Sequence, residues 1–159
     1  MSPLGALQAS AFVQSMRGPS WLFPAVKAIH LTGIAMLLVS IVALDLRLLG
    51  LRRAFPLRRL AARVLPWSAA SFLLIVPSGL AMFVARAGDL IASPVFALKI
   101  CLIMAAGVNA AVFHAGVFRS SVQWDVDVLP PIAARAAAAL SLALWVSVIA
   151  CGLWLARAD

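Results

Sequence analysis

Long apolar runs alternate with short polar stretches along this chain, and this pattern predicts its elements. Four runs approach or exceed the roughly 20 residues that an α-helix needs to cross a bilayer, and they carry few charges. They occupy residues 22–46, 67–85, 94–118 and 132–156. The stretches between them contain Pro, Gly, Arg or Asp, which are typical of turns and membrane interfaces. Because the runs are continuous, they argue against the alternating strands of a membrane barrel.

The predicted fold is an all-α four-helix transmembrane bundle, with residues 1–159 as a single integral membrane domain. Between the first two spans, Leu57, Leu60 and Val64 recur at helical spacing while arginines take other positions. This spacing predicts a short basic interfacial helix at that point. Residues 3–16 show a weaker form of the pattern, which predicts a helix lying on the outer membrane surface.

Composition makes lipid the main solvent of this chain. Hydrophobic residues form 65% of it and charged residues only 11%, which is too little polar surface for a soluble domain of 159 residues. The net charge is +8, and a cluster of arginines near the end of the first span accounts for much of it: Arg47, Arg52, Arg53, Arg58, Arg59 and Arg63. No nucleic-acid-binding motif accompanies this cluster. We therefore expect the lipid bilayer, anionic lipids at the arginine-rich loop and other membrane subunits as partners, and no nucleic acid.

The distribution of the basic residues predicts an orientation. If the loops after the first and third spans lie on one side, that side holds eight of the 13 lysines and arginines, and the other side holds five. The positive-inside rule makes the first side cytoplasmic, with both termini outside a bacterial inner membrane. Aromatic residues near the span ends are expected as interfacial anchors: Trp21, Trp67, Trp124 and Trp154.

Candidate chemistry starts from the two histidines, His30 and His114, which both lie inside apolar runs. An imidazole in hydrocarbon is costly unless it is hydrogen-bonded or ligates something. From the helical rise, His30 lies roughly 6–8 Å outside the bilayer midplane and His114 roughly 12 Å inside it. A separation of about 20 Å along the normal excludes both as axial ligands of one heme and predicts two separate sites. For each histidine, an interhelical hydrogen bond, ligation of a heme iron or another metal, and proton transfer remain open.

The predicted outer site combines His30 with Lys27 and Lys99. Lys27 precedes His30 by one turn on the same helix face, and Lys99 opens the third span. Cations there suit heme propionates or a quinone oxygen. Gly33 follows His30 by one turn, and its small size admits either a cofactor macrocycle or a closely packed helix.

The predicted inner site combines His114 with Asp45, which lies at a similar depth. An intramembrane carboxylate normally pairs with a cation or a proton donor. A structural ion pair is one interpretation, with Arg63, Arg119, Arg135 or His114 as the partner. A proton relay between Asp45 and His114 is the other.

Two cysteines, Cys101 and Cys151, lie within apolar runs at a spacing that matches no zinc pattern. They are interpreted as small buried hydrophobic residues. A disulfide between them requires that helix packing brings them together.

Several motifs resemble an uncharacterised family of small four-helix bacterial membrane proteins, a domain of unknown function, over nearly the whole chain. They are Lys27-Ala-Ile-His30-Leu-Thr-Gly33, Asp45-Leu-Arg-Leu-Leu-Gly50, Pro66-Trp67, Pro77-Ser-Gly79, Lys99, and Asn109 with Phe113-His114. The chain is also loosely similar to the heme-binding membrane protoporphyrinogen oxidases and to copper-resistance D-type membrane domains.

The similarity to the protoporphyrinogen oxidases implies heme binding and activity at the positions of His30 and Lys99. The sequence departs from that family at Asp45-Leu-Arg47. The resemblance therefore implies a shared heme-compatible bundle more than a shared reaction, and whether the chain is an enzyme stays open.

Together these residues favour an integral membrane b-type heme-binding redox or electron-transfer protein, or a quinone-linked subunit of a larger membrane complex. His30 and His114 are the candidate iron ligands in this hypothesis. A non-catalytic accessory subunit of a respiratory or photosynthetic complex is one alternative, and a small transporter or copper-handling membrane protein is another.

Overall fold

A computed structural model describes residues 10–18 and 21–157. Within these ranges the chain forms six α-helices and one 3₁₀ helix, and no strand. The α-helices are α1 (Ala11–Arg17), α2 (Leu22–Leu48), α3 (Leu57–Ala85), α4 (Ala87–Ala92), α5 (Pro94–Ala115) and α6 (Ile132–Arg157). The 3₁₀ helix, Val117–Trp124, lies between α5 and α6.

Four helices, α2, α3, α5 and α6, are long and apolar enough to cross a membrane, which confirms the predicted all-α, four-span fold. Their outward faces remain strongly apolar. Leu73 is 77% exposed and Val146 is 66% exposed, for example. Such faces suit contact with lipid, because hydrocarbon tails solvate them as well as a protein core would.

The prediction of a separate basic helix between the first two spans is wrong, because α3 begins at Leu57 and continues through Pro66 and Pro77 to Ala85. The basic segment forms the first turns of this helix. Proline removes one helical hydrogen bond. At Pro66 this loss leaves the Ala62 carbonyl without its helical partner, but both residues are exposed, so no polar group is stranded in the protein interior.

The end of the third span also differs from the prediction. Helix α5 ends at Ala115 rather than at residue 118, and the 3₁₀ helix begins after Gly116. The 3₁₀ helix carries Trp124 into the core, where it is 4% exposed, so Trp124 is not the interfacial anchor that its position predicted. The other three predicted anchors are exposed: Trp21, Trp67 and Trp154.

The predicted N-terminal surface helix is described only from Ala11, and residues 3–9 lie outside the described ranges. Helix α1 packs on α2 and α3. The Arg17 Nε atom donates a hydrogen bond to the Ala85 carbonyl at 2.7 Å, which ties α1 to the last turn of α3.

Helix α2 is the centre of the bundle. It packs against α3 on one side and α6 on the other, and α6 packs against α5. Among the described residues, no Cα atom of α3 lies within 8 Å of one in α5. The two helices contact each other through side chains far from the loop 49–56 end, where the rings of Phe83 and Phe96 stack at a centroid distance of 5.5 Å.

One end of the bundle, here called the basic end, carries loop 49–56 and the 3₁₀ helix. Arg47 is buried there and donates to three backbone carbonyls, those of Phe55 at 2.9 Å, Arg53 at 3.1 Å and Asp125 at 2.8 Å. The Asp125 carboxylate accepts a 2.7 Å hydrogen bond from the Arg58 amide in the first turn of α3. A negative group at that position satisfies an otherwise unpaired amide and complements the helix dipole.

Candidate functional site

His30 lies where α2 contacts the second half of α3. Its Nδ1 atom is 3.1 Å from the Ile75 carbonyl oxygen and 3.0 Å from the Ser78 hydroxyl. A carbonyl oxygen only accepts hydrogen bonds, so Nδ1 carries the proton and donates it. The lone pair of the neutral ring is then on Nε2. Metal-binding histidines have this arrangement, in which the outer hydrogen bond fixes the tautomer and orients the ring.

Ser78 and Gly79, which follow Pro77 in α3, lie against the imidazole of His30. The Ser78 hydroxyl donates to the Leu74 carbonyl, which leaves its oxygen lone pairs available to His30. A Cβ atom added at Gly79 would lie only 3.1 Å from Cε1 of His30. The glycine therefore allows the ring to lie against α3.

Lys99 reaches the same region from α5. Its ammonium group is close enough to His30 to act on it electrostatically. A Cβ atom on Gly152 of α6 would be 3.5 Å from the lysine Nζ, so Gly152 leaves room for this side chain, next to Cys151. The structure thus brings His30 and Lys99 together as the sequence predicted. Lys27 lies one turn before His30 and is half-buried, and no described contact joins the two.

Gly33 does not face open space in this structure. A Cβ atom there would be 2.8 Å from Cγ1 of Ile75 and 3.0 Å from Cβ of Leu74. Helix α3 fills the Gly33 face, as in the helix-packing interpretation of this residue. No room for a macrocycle is left at that position.

His114 belongs to a different site, near the basic end. Its ring meets the edges of Phe113 and Phe118 at centroid distances of 5.2 and 5.1 Å. Phe113 packs in one core cluster with Leu57, the first residue of α3. Ile75 and Ser78, which contact His30, lie about 20 residues further along α3, and this corresponds to roughly 30 Å of helix. The two histidines therefore occupy separate sites.

The imidazole of His114 lacks the anchoring that His30 has. No hydrogen bond to its ring is found among the described residues, whereas two groups hold His30. His114 lines a cavity of about 490 Å³ between α2, α3, α5 and α6.

Asp45 lines the same cavity from α2 and is only 5% exposed. Its Oδ2 atom has no hydrogen-bond partner among the described residues, and Ser141 of α6 is the polar side chain beside the carboxyl group. The three arginines predicted as ion-pair partners are all exposed: Arg63, Arg119 and Arg135. The predicted structural ion pair of Asp45 is therefore not formed in the described structure. No bond joins Asp45 to His114 either, although both face one cavity.

Sequence reasoning missed several groups that build the His30 site. The Pro77-Ser-Gly79 motif indicated a family resemblance, but it did not indicate that Ser78 and Gly79 lie against the imidazole of His30. The Ile75 carbonyl and Gly152 carried no sequence pattern that could have indicated their role. Cys151 is buried as expected, whereas the expectation of a buried Cys101 is wrong, because that residue is exposed. Both cysteines are free, so helix packing does not join them in a disulfide.

No group of three His, Cys, Asp or Glu side chains able to hold a metal ion occurs among the described residues. A heme iron needs only one or two axial ligands from a protein, so a lone oriented histidine is compatible with it.

No protein-family model, curated protein or solved structure matches this chain.

Proposed function

We propose that this chain is an integral membrane b-type heme-binding redox protein, with His30 as an axial ligand. The observation that carries the proposal is the hydrogen bond from Nδ1 of His30 to the Ile75 carbonyl. It leaves Nε2 as the free lone pair and holds the ring in one orientation, as in histidines that ligate metals. A b-type heme supplies one-electron redox chemistry when it is bound.

Lys99 supports the same proposal through charge. A lysine within an apolar span is costly and usually faces a partner of opposite charge. In the proposed site its ammonium group would pair with a heme propionate. His114 has no orienting hydrogen bond, so we assign it no ligand role at this site.

The arginine distribution favours one orientation and location. The basic end holds most of the basic residues, and we propose that it faces the cytoplasm across a bacterial inner membrane, with both termini outside. The apolar outer faces are available to other subunits of a membrane complex, which would accept or supply the electrons.

The optical spectrum of the protein tests the heme proposal. The protein is expressed with heme supplied, purified in detergent, and scanned for a Soret band in its oxidised and reduced forms. We expect the band in wild type, its loss in His30→Ala, and its retention in His114→Ala. The last variant is a matched control, because it removes the only other histidine in the chain.

Chemical rescue separates loss of the ligand from loss of the fold. In His30→Gly, added imidazole should restore the band if the site is otherwise intact. Absence of a Soret band in wild type, or the same spectrum in wild type and His30→Ala, would overturn the proposal.

A further inference from the structure

The cavity of about 490 Å³ near the basic end is separate from the His30 site, and its geometry points to a ligand that arrives from the bilayer. Helices α3 and α5 both line it, yet their backbones do not approach within 8 Å of each other in the described ranges. At the level of the cavity, away from the stacked rings of Phe83 and Phe96, the gap between these helices lets a lipid-soluble molecule enter laterally. The volume lies within the range of about 300–1,000 Å³ that is usual for small-molecule sites.

The wall of the cavity is mainly apolar, with one unsatisfied polar group. Phe72, Phe113 and Trp145 contribute aromatic surface. Asp45 is 95% buried, and its Oδ2 atom has no partner among the described residues. Leaving such an acceptor unpaired is costly. A ligand with a hydrogen-bond donor on an apolar ring would satisfy it.

The charge around the cavity favours a neutral donor over a cation. Several exposed arginines lie at this end of the bundle, among them Arg63, Arg119 and Arg135. Their positive field would repel a cationic ligand but has little effect on a neutral hydroxyl.

We propose that this cavity binds a membrane-soluble hydroquinone. One ring hydroxyl donates to Oδ2 of Asp45, the ring lies among the aromatic side chains, and the hydrocarbon tail leaves between α3 and α5. The inference rests on the proposed redox function and deepens it, because it names hydroquinones as the class of redox partner for the chain.

Tryptophan fluorescence tests the binding directly, because Trp145 lines the cavity. The protein in lipid nanodiscs is titrated with decylubiquinol under anaerobic conditions while its emission is recorded. We expect saturable quenching in wild type, and only a non-saturable change in Trp145→Phe. Asp45→Asn should weaken binding about tenfold, because a charge-assisted hydrogen bond becomes a neutral one. Asp89→Asn is the matched control, since Asp89 is exposed and outside the cavity.

A second variant covers the case in which Asp45→Asn does not fold. A Cβ atom at Gly107 would meet nothing within 4 Å, although Gly107 lines the cavity. Gly107→Leu should therefore fill the cavity, leave the fold intact and abolish saturable quenching. Unchanged affinity in Gly107→Leu and in a folded Asp45→Asn, or no saturable quenching in wild type, would overturn the proposal. Displacement of decylubiquinol by a low concentration of tetraphenylphosphonium would overturn it in favour of a cation site.

The heme spectrum is recorded on the same preparations, so that failure of one proposal can be distinguished from failure of the other. A Soret band without saturable decylubiquinol binding overturns only the hydroquinone site. Saturable binding without a Soret band overturns only the heme proposal.

Discussion

The Nδ1 atom of His30 lies 3.1 Å from the Ile75 carbonyl oxygen, so the backbone of α3 fixes the imidazole of α2. The position of the proposed ligand therefore depends on how closely these two helices approach. Gly79 lies under the His30 ring, and Gly33 lies one turn further along α2, against Ile75 itself. Both glycines are consequently sensitive points for the site.

Replacing Gly79 with Ala should push the His30 ring away from α3. The new Cβ atom would be 3.1 Å from Cε1 of His30, and relieving such overpacking costs about 1 kcal/mol. We expect heme affinity to fall about fivefold, measured by titrating heme into the apoprotein and recording the Soret band. Gly107→Ala is the control, because its Cβ atom meets nothing within 4 Å. Equal affinities in the two variants would show that Gly79 does not position the ring.

Lys99→Met should lower the reduction potential of the proposed heme. A nearby cation stabilises the reduced state, and for charges about 10 Å apart at an effective dielectric constant of about 20 the interaction is about 1.7 kcal/mol. That energy corresponds to roughly 70 mV for one electron. Redox titration of the visible bands measures the change. Lys99→Arg keeps the charge, so its reduction potential should stay close to that of wild type. An unchanged reduction potential in Lys99→Met would show that the lysine does not lie near the heme.

The four spans could be predicted because each is a long, continuous apolar run, and such a run has few alternatives to a membrane helix. The start of α3 could not be predicted in this way. The arginines among the apolar residues 57–64 favoured a separate interfacial element, but α3 continues through Pro66, where the unpaired Ala62 carbonyl lies on an exposed face. Leu57 therefore begins the whole second span rather than a separate segment.

The candidate sites were also predictable only in part: the depth of each residue was, and its partners on other helices were not. Depth along a helix follows from residue counting, which is why His30 and Lys99 were expected at one level and His114 at another. Partners across helices depend on rotation and packing, which a single sequence does not encode locally. Asp45 shows the consequence, because arginines at the right depth project outward while Arg47 binds backbone carbonyls instead.

Gly33→Ala should destabilise the α2–α3 contact. The added Cβ atom would be 2.8 Å from Cγ1 of Ile75 and 3.2 Å from the Ser71 carbonyl oxygen. Overpacking of this kind costs about 1–3 kcal/mol, so the midpoint of thermal unfolding in detergent should fall, as followed by circular dichroism. Ile75→Ala removes the atom closest to the new Cβ atom. It should therefore cost less stability in the Gly33→Ala background than it costs in wild type. Strictly additive effects of the two substitutions would argue against this contact.

Arg47→Met should loosen the basic end without removing a residue that lines either proposed ligand site. Arg47 is 3% exposed and joins α2 to loop 49–56 and to Asp125 through three carbonyl acceptors. Losing hydrogen bonds from a charged donor, with the carbonyls left unpaired, costs about 2–4 kcal/mol. The loss is measured as a lower unfolding midpoint and faster proteolysis within the loop.

Arg63→Met is the matched control for that variant, because it removes the same charge from an exposed position on α3. It should change stability by less than about 0.5 kcal/mol. Arg47→Lys should recover only part of the loss, since an ammonium group lacks the planar fork that donates from both Nε and Nη2 to separate carbonyls. Full recovery by lysine would mean that charge at this position matters and that the shape of the guanidinium group does not.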